Sequence, residues 1–130
     1  MPKTKRAKLE AKLDKVFSLY IRLRDADNEI VSCVTCGKTR HYKDSIHCGH
    51  FQSRRHKATR WNEKNAHPQC AGCNTFNQGE QYKHALYIDN RYGRGVADEM
   101  VQLANTSVKW SIHELELMIE DYETRIKNLK

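Results

Sequence analysis

The sequence predicts an α+β chain, mostly helical, in which N- and C-terminal helices flank a small metal-held core. Three observations carry that expectation. Apolar residues recur at three- and four-residue steps near both ends of the chain. Two Cys-x-x-Cys pairs, Cys33/Cys36 and Cys70/Cys73, stand with 33 residues between them. The rest is polar: hydrophobic residues make up 38% of 130, and mean hydropathy is -0.85. A chain this short of burial gains from a structural metal.

The helical ends come first. Leu9, Leu13, Val16, Phe17, Tyr20 and Leu23 form one stripe, which predicts a helix over residues 3–25. At the other end Ser111 and Glu114 form a capping box. After it Ile112, Leu115, Ile119, Tyr122, Ile126 and Leu129 make a heptad stripe. That stripe suits packing against the N-terminal helix or a seam with a second copy.

Between the ends the pattern is shorter-ranged. Asp25 to Asn28 is a turn, and Glu29 to Ser32 leads extended into the first cysteine pair. His41 and Tyr42 fall on a loop or hairpin arm and take no role. Ile46 to Gln52 reads as a short strand. A helix is expected from Asn74, with Gly79 as a possible interruption, then an apolar face over 80–91 and a short helix over 96–104. The whole reads as one domain, 1–130. Its parts are a basic helical region 1–28, a metal-stabilised core 29–92 and a C-terminal helical region 93–130.

Net charge is +7, the pI is near 9.2, and there are seven histidines. That surplus suits a polyanionic partner, nucleic acid first, though it also suits an ordinary basic protein. Lys5, Arg6 and Lys8 in the first turns are candidate phosphate contacts, against the alternative of a solvated helix face. A second basic block holds Arg54, Arg55, Lys57 and Arg60 and closes on Trp61. Basic residues with an aromatic suit a DNA-facing loop. No apolar run approaches the ~20 residues of a membrane span. A cytoplasmic protein without a membrane partner is expected.

Five cysteines, four of them in two close pairs, fit a metal site better than disulfides. Cys33, Cys36, Cys70 and Cys73 predict one tetrahedral structural Zn²⁺. A redox pair would need a βαβ pattern; an iron–sulfur cluster is the minor alternative. Cys48 is expected to be a small buried residue and no ligand.

His50, Asn65 and Asn74 sit where the HNH nuclease motif has its three signature residues, with Asn in the third place. The flanking knuckles resemble those of HNH proteins, including the endonuclease VII type. The match is closer to the NinG family, also called Rap, of lambdoid phage recombination nucleases. It includes Phe17 to Asp25, Cys-x-x-Cys-Gly, and His47-x-Gly49-His50-aromatic. It continues through Thr59 to Asn62 and residues 65–74 to the closing helix. This resemblance implies a ββα-metal (His-Me finger) core and a host-cell cytoplasmic endonuclease cutting branched DNA such as Holliday junctions and D-loops.

The chemistry expected of such a site assigns the roles. Neutral imidazole can take a proton from water at cellular pH, so His50 is the expected base. The Asn74 amide oxygen suits a catalytic Mg²⁺ or Mn²⁺. Asn65 is expected to orient His50 across the loop. Many HNH members carry Asp before the base; here it is Gly49, and His47 is the nearest substitute ligand. For His67 a structural role and a functional one stand level; for His56 and His84 the structural role is favoured. A non-catalytic zinc-stabilised DNA-binding accessory protein is the alternative function. A sequence-specific restriction or homing nuclease ranks third, since no base-reading helix is evident. Resolving a junction takes two cuts, which favours a homodimer using the C-terminal helix.

Overall fold

A computed structural model describes residues 3–129. Residues 1, 2 and 130, at the ends of the expected domain and of its terminal regions, lie outside them. Among the described residues the fold is mixed, four α-helices around two small antiparallel sheets. Helix α1 is Lys5–Arg24, and Thr4 caps it by accepting from the Ala7 N–H at 3.1 Å. Strands β1 (Ile30–Ser32) and β2 (Thr39–His41) pair, so the His41 segment is a hairpin arm. Strands β3 (Ile46–His50) and β4 (Ala66–Cys70) pair in the register Ile46↔Cys70 to His50↔Ala66.

After β4 the expectation needs correction. No α-helix starts at Asn74. Gly72–Phe76 forms one π-helical turn, and α2 begins only at Gln81 and runs to Tyr92. Gln78, Gly79 and Glu80 all have positive φ, which breaks the helical path between the two. Helices α3 (Val96–Ala104) and α4 (Ile112–Leu129) follow as expected. The capping box forms: Glu114 N–H donates to Ser111 Oγ at 3.0 Å, and Ser111 N–H donates to Glu114 Oε1 at 2.9 Å.

Helices α1 and α4 run side by side in the same direction. Arg6 meets Trp110 near their starts, and Tyr20 packs at a tilt of 41° against Tyr122 further along, centroids 5.2 Å apart. Leu115, Ile119, Tyr122 and Ile126 bury against Leu13, Phe17, Tyr20 and Ile21. Each such aliphatic burial contributes about 1.5–3 kcal/mol. The heptad stripe is therefore used inside the chain. Packing against the N-terminal helix, one of its two expected uses, thus takes four of its six residues, while Leu129 at its end stays 47% exposed. No described helix is long and apolar enough to cross a membrane.

A second cluster seats α2 and α3 below the β3–β4 sheet, around Phe51, Ile88, Val96 and Met100. Beside it His67 and His84 are fully buried. His67 Nδ1 lies 3.0 Å from His84 Nε2, and His67 Nε2 lies 2.9 Å from the Tyr92 hydroxyl. Both rings are structural. Burial, reinforced for His67 by the charge of His84, lowers the His67 pKa to about 2 and that of His84 to about 4. In the unfolded chain both titrate near ~6.5. Below that pH the unfolded state binds protons that the folded state refuses, so stability is full above ~6.5 and falls as pH drops. Denaturant midpoints should fall between pH 7.5 and 4.5, and His84→Phe should flatten the decline. An unchanged slope in that variant contradicts the assignment.

Candidate metal centre and active-site cleft

The four expected zinc ligands meet. The thiols of Cys33, Cys36, Cys70 and Cys73 lie within 4.8 Å of one another. Cys36 Sγ is 3.6 Å from Cys70 Sγ, against roughly 3.8 Å for two sulfurs of a tetrahedral shell with Zn–S of ~2.3 Å. The first pair leaves β1 in a tight turn: Gly37 N–H donates to the Cys33 carbonyl at 2.9 Å, and Gly37 takes φ +82°. The second pair spans the end of β4 and the π-helical turn. The donor set can hold a zinc ion, and such an ion would tie the β1–β2 hairpin to β4.

The other expected residues gather beside it. His50 ends β3, and Asn74 follows Cys73 on the π-helical turn. Both line a cleft of about 410 Å³ with Asp14 and Ser18 of α1, Cys48, Ser53 and Arg54. A neighbouring hollow of about 330 Å³ shares His50, Ser53 and Asn74. Cys48, expected as a small buried residue and no ligand, lies outside the thiol cluster. It is half-buried, packs against the α1–α4 core and forms part of the cleft wall, and burial of its sulfur pushes the thiol up to about 12. It therefore stays protonated at cellular pH.

His50 Nε2 lies 2.9 Å from the Arg60 carbonyl oxygen. A carbonyl only accepts, so Nε2 carries the proton and Nδ1 is the basic nitrogen. Burial lowers the His50 pKa below its ordinary value, while the Arg60 carbonyl opposes the shift. The ring is neutral at cellular pH. Asn74 Nδ2 lies 3.0 Å from His47 Nδ1, which turns the amide nitrogen to His47 and leaves the Asn74 oxygen. His47, expected as a substitute metal ligand, supports Asn74 by accepting this bond at Nδ1.

Asn65 is fully buried and does not line the cleft. Its Oδ1 accepts from Gln52 N–H at 2.8 Å, and its Nδ2 donates to the carbonyls of Gln52 at 3.0 Å and Thr59 at 3.1 Å. It fixes the loop that follows His50, so its part is positional.

Gly49 has a steric cause. A Cβ placed there would lie 2.0 Å from Gln69 Oε1 and 2.6 Å from Gln69 Cδ. Gln69 crosses under the strand to donate to the Gly79 carbonyl at 2.7 Å, and its Oε1 is buried without a partner. The side chain of β4 occupies the space that an Asp at position 49 would need.

The basic residues divide. Arg60 is held by Asp14 through contacts of 3.0 and 2.5 Å, and that bond raises its pKa. Lys57 pairs with Glu10 at 2.5 Å, and Arg6 donates to the Trp110 carbonyl. These three serve the fold. Lys5, Lys8, Arg54 and Arg55 are exposed; Arg54 borders the cleft, with its Nη1 3.9 Å from Asp14 Oδ2. Sequence reasoning missed Asp14 at the cleft. Its signal was an acid, one of two in residues 1–24, set beside a stripe residue on a basic helix.

The Gly49–Gln69 contact yields a test. Gly49→Ala should cost about 1–3 kcal/mol. Combined with Gln69→Ala it should cost less than the sum of the single changes, by about 1 kcal/mol in a double-mutant cycle of denaturant unfolding. Additive costs would reject the contact.

Comparison with known proteins gives the chain a lineage. No solved structure matches it. It is 29% identical to "Protein ninG" of Escherichia phage lambda over 112 residues, 85% of this chain and 52% of that protein. It is 28% identical to "Protein ninG" of Escherichia phage 933W, covering 85% of this chain and 53% of that one. The homonymous protein of Salmonella phage P22 is 26% identical, with 85% and 52% covered. The chain thus spans about half the length of the curated relatives it matches. The family described as "NinG: Bacteriophage Lambda NinG protein" matches residues 3–130, and the chain belongs to that family of lambdoid phage proteins.

Proposed function

We propose that this chain is a metal-dependent endonuclease of the HNH type, selective for branched DNA such as Holliday junctions and D-loops. One observation carries the proposal: His50 and Asn74 face a single cleft, with a neutral, tautomer-fixed imidazole and an amide oxygen available in it. The order β3, β4, helical turn agrees with a ββα-metal core whose third element is short.

In the proposed reaction His50 Nδ1 takes a proton from water, and the water oxygen bonds to phosphorus. The bond from phosphorus to the leaving sugar oxygen breaks, and that oxygen takes up a proton from solvent. Asn74 Oδ1 would hold Mg²⁺ or Mn²⁺, which supplies charge neutralisation at the phosphate. Arg54 at the cleft, with Arg55, Lys5 and Lys8, is suited to backbone phosphates. A homodimer belongs to the same proposal, because two cuts take two sites.

The lack of an acid at position 49 favours a second reading, a zinc-stabilised DNA-binding accessory protein without cleavage. A panel of four-way junctions and linear duplexes separates the two. The nuclease reading expects Mg²⁺-dependent nicking of junctions, reduced roughly 100-fold or more in His50→Ala with junction binding retained. Junction binding with no nicking by the wild-type chain supports the accessory reading. Equal nicking by His50→Ala would falsify the role of His50.

A further inference from the structure

Asp14 projects from α1 into the wall of the cleft, and its carboxylate grips two consecutive residues of the basic loop. Oδ1 accepts from Arg60 Nε at 3.0 Å and from the Trp61 indole Nε1–H at 3.0 Å. Oδ2 accepts from the Arg60 terminal nitrogen at 2.5 Å and lies 3.9 Å from Nη1 of the exposed Arg54. The peptide between Arg60 and Trp61 is therefore held at both of its side chains by one carboxylate. The carbonyl of that peptide is the acceptor for His50 Nε2. On the far side the Tyr122 hydroxyl donates to the Trp61 carbonyl at 2.7 Å, and Arg60 N–H donates to the His56 carbonyl at 3.0 Å.

A neutral imidazole has no strong preference between its two nitrogens; the partner of one decides the state of the other. The Arg60 carbonyl can impose Nε2–H only if it stays aimed at the ring. The ion pair that holds it is partly shielded, with Arg60 17% and Asp14 21% exposed, so it is less screened than a surface pair. We propose that Asp14 is a positioning residue for His50, acting through Arg60 and Trp61 to keep the imidazole in the tautomer whose Nδ1 is basic. This deepens the reading of His50 as the base, on which its catalytic meaning rests.

The same helix supplies an internal comparison. Glu10, one turn earlier, grips Lys57 at 2.5 Å, three residues before Arg60. That contact also joins α1 to the loop; its Lys57 Nζ lies 5.9 Å from the centre of the Trp61 ring, but Glu10 itself bonds neither Arg60 nor Trp61. A general tether of loop to helix would make the two acids equivalent. A tautomer lock makes Asp14 unlike Glu10.

The test is the tautomer itself, read by ¹⁵N resonances of histidine-labelled full chain with zinc present. Wild type and Glu10→Ala should show His50 as a single Nε2–H form. Asp14→Ala should show a mixture of both forms, with junction nicking reduced roughly ten-fold or more. The near-isosteric Asp14→Asn should shift the same way if Asp14→Ala fails to fold. A single Nε2–H form retained in folded Asp14→Ala or Asp14→Asn overturns the proposal, and so does an equal mixture in Glu10→Ala. A tautomer shift in a chain that nicks no junction upholds the positioning role and rejects the nuclease reading.

Discussion

Four sulfurs from two distant stretches of chain share a space small enough for one ion, and the candidate site takes its shape from that closure. Without an ion, four thiols packed this closely offer little cohesion. With one, the β1–β2 hairpin is tied to β4, and the turn carrying Cys73 is tied to both. Asn74 is the next residue. With an ion bound, its place in the cleft beside His50 would be set by a metal bond one residue away. Zinc binding of this kind supplies folding free energy of order 10 kcal/mol. That matters in a chain whose apolar burial is split among three small clusters.

The second organising contact is between helix and loop. Helix α1 is basic, yet its two acids both face the basic loop after β3. Charge that looks like a DNA surface in one dimension is partly internal in three. Lys57 and Arg60 neutralise Glu10 and Asp14, and Arg6 reaches a backbone carbonyl. Of the candidate phosphate contacts, Lys5 and Lys8 on α1, Arg54 at the cleft and the neighbouring Arg55 remain exposed. The arrangement lets α1 serve as core on its apolar stripe and as a scaffold for the cleft on its acidic positions.

Periodic elements were legible in the sequence because one physical pattern specifies each. The stripes of α1 and α4, the capping box at Ser111 and the extent of α3 follow from 3.6-residue spacing and local caps. The cysteine cluster was legible because two close thiolates need a short turn and a second pair completes the shell. Gly79 marked the break before α2, but the π-helical turn and the positive φ of Gln78 and Glu80 on either side were not legible, since such non-glycine conformations are a tertiary outcome. Nor was the partner of the α4 stripe: heptad spacing states that a face is apolar, not what covers it. The Gly49–Gln69 contact and the Asp14 grip join residues on different elements, and no local pattern announces them. Of the expected site, His50 and Asn74 share a cleft, Asn65 stands behind it, and His47 turned out to support Asn74.

The central claim is that one zinc ion holds this architecture and with it the cleft. Thermal unfolding of the chain, loaded with one equivalent of zinc and after its removal by chelation, tests it most directly. A cooperative transition with zinc, lost or shifted far down in temperature without it, is the expected result. A metal-free chain that unfolds with the same Tm and the same cooperativity would contradict the account.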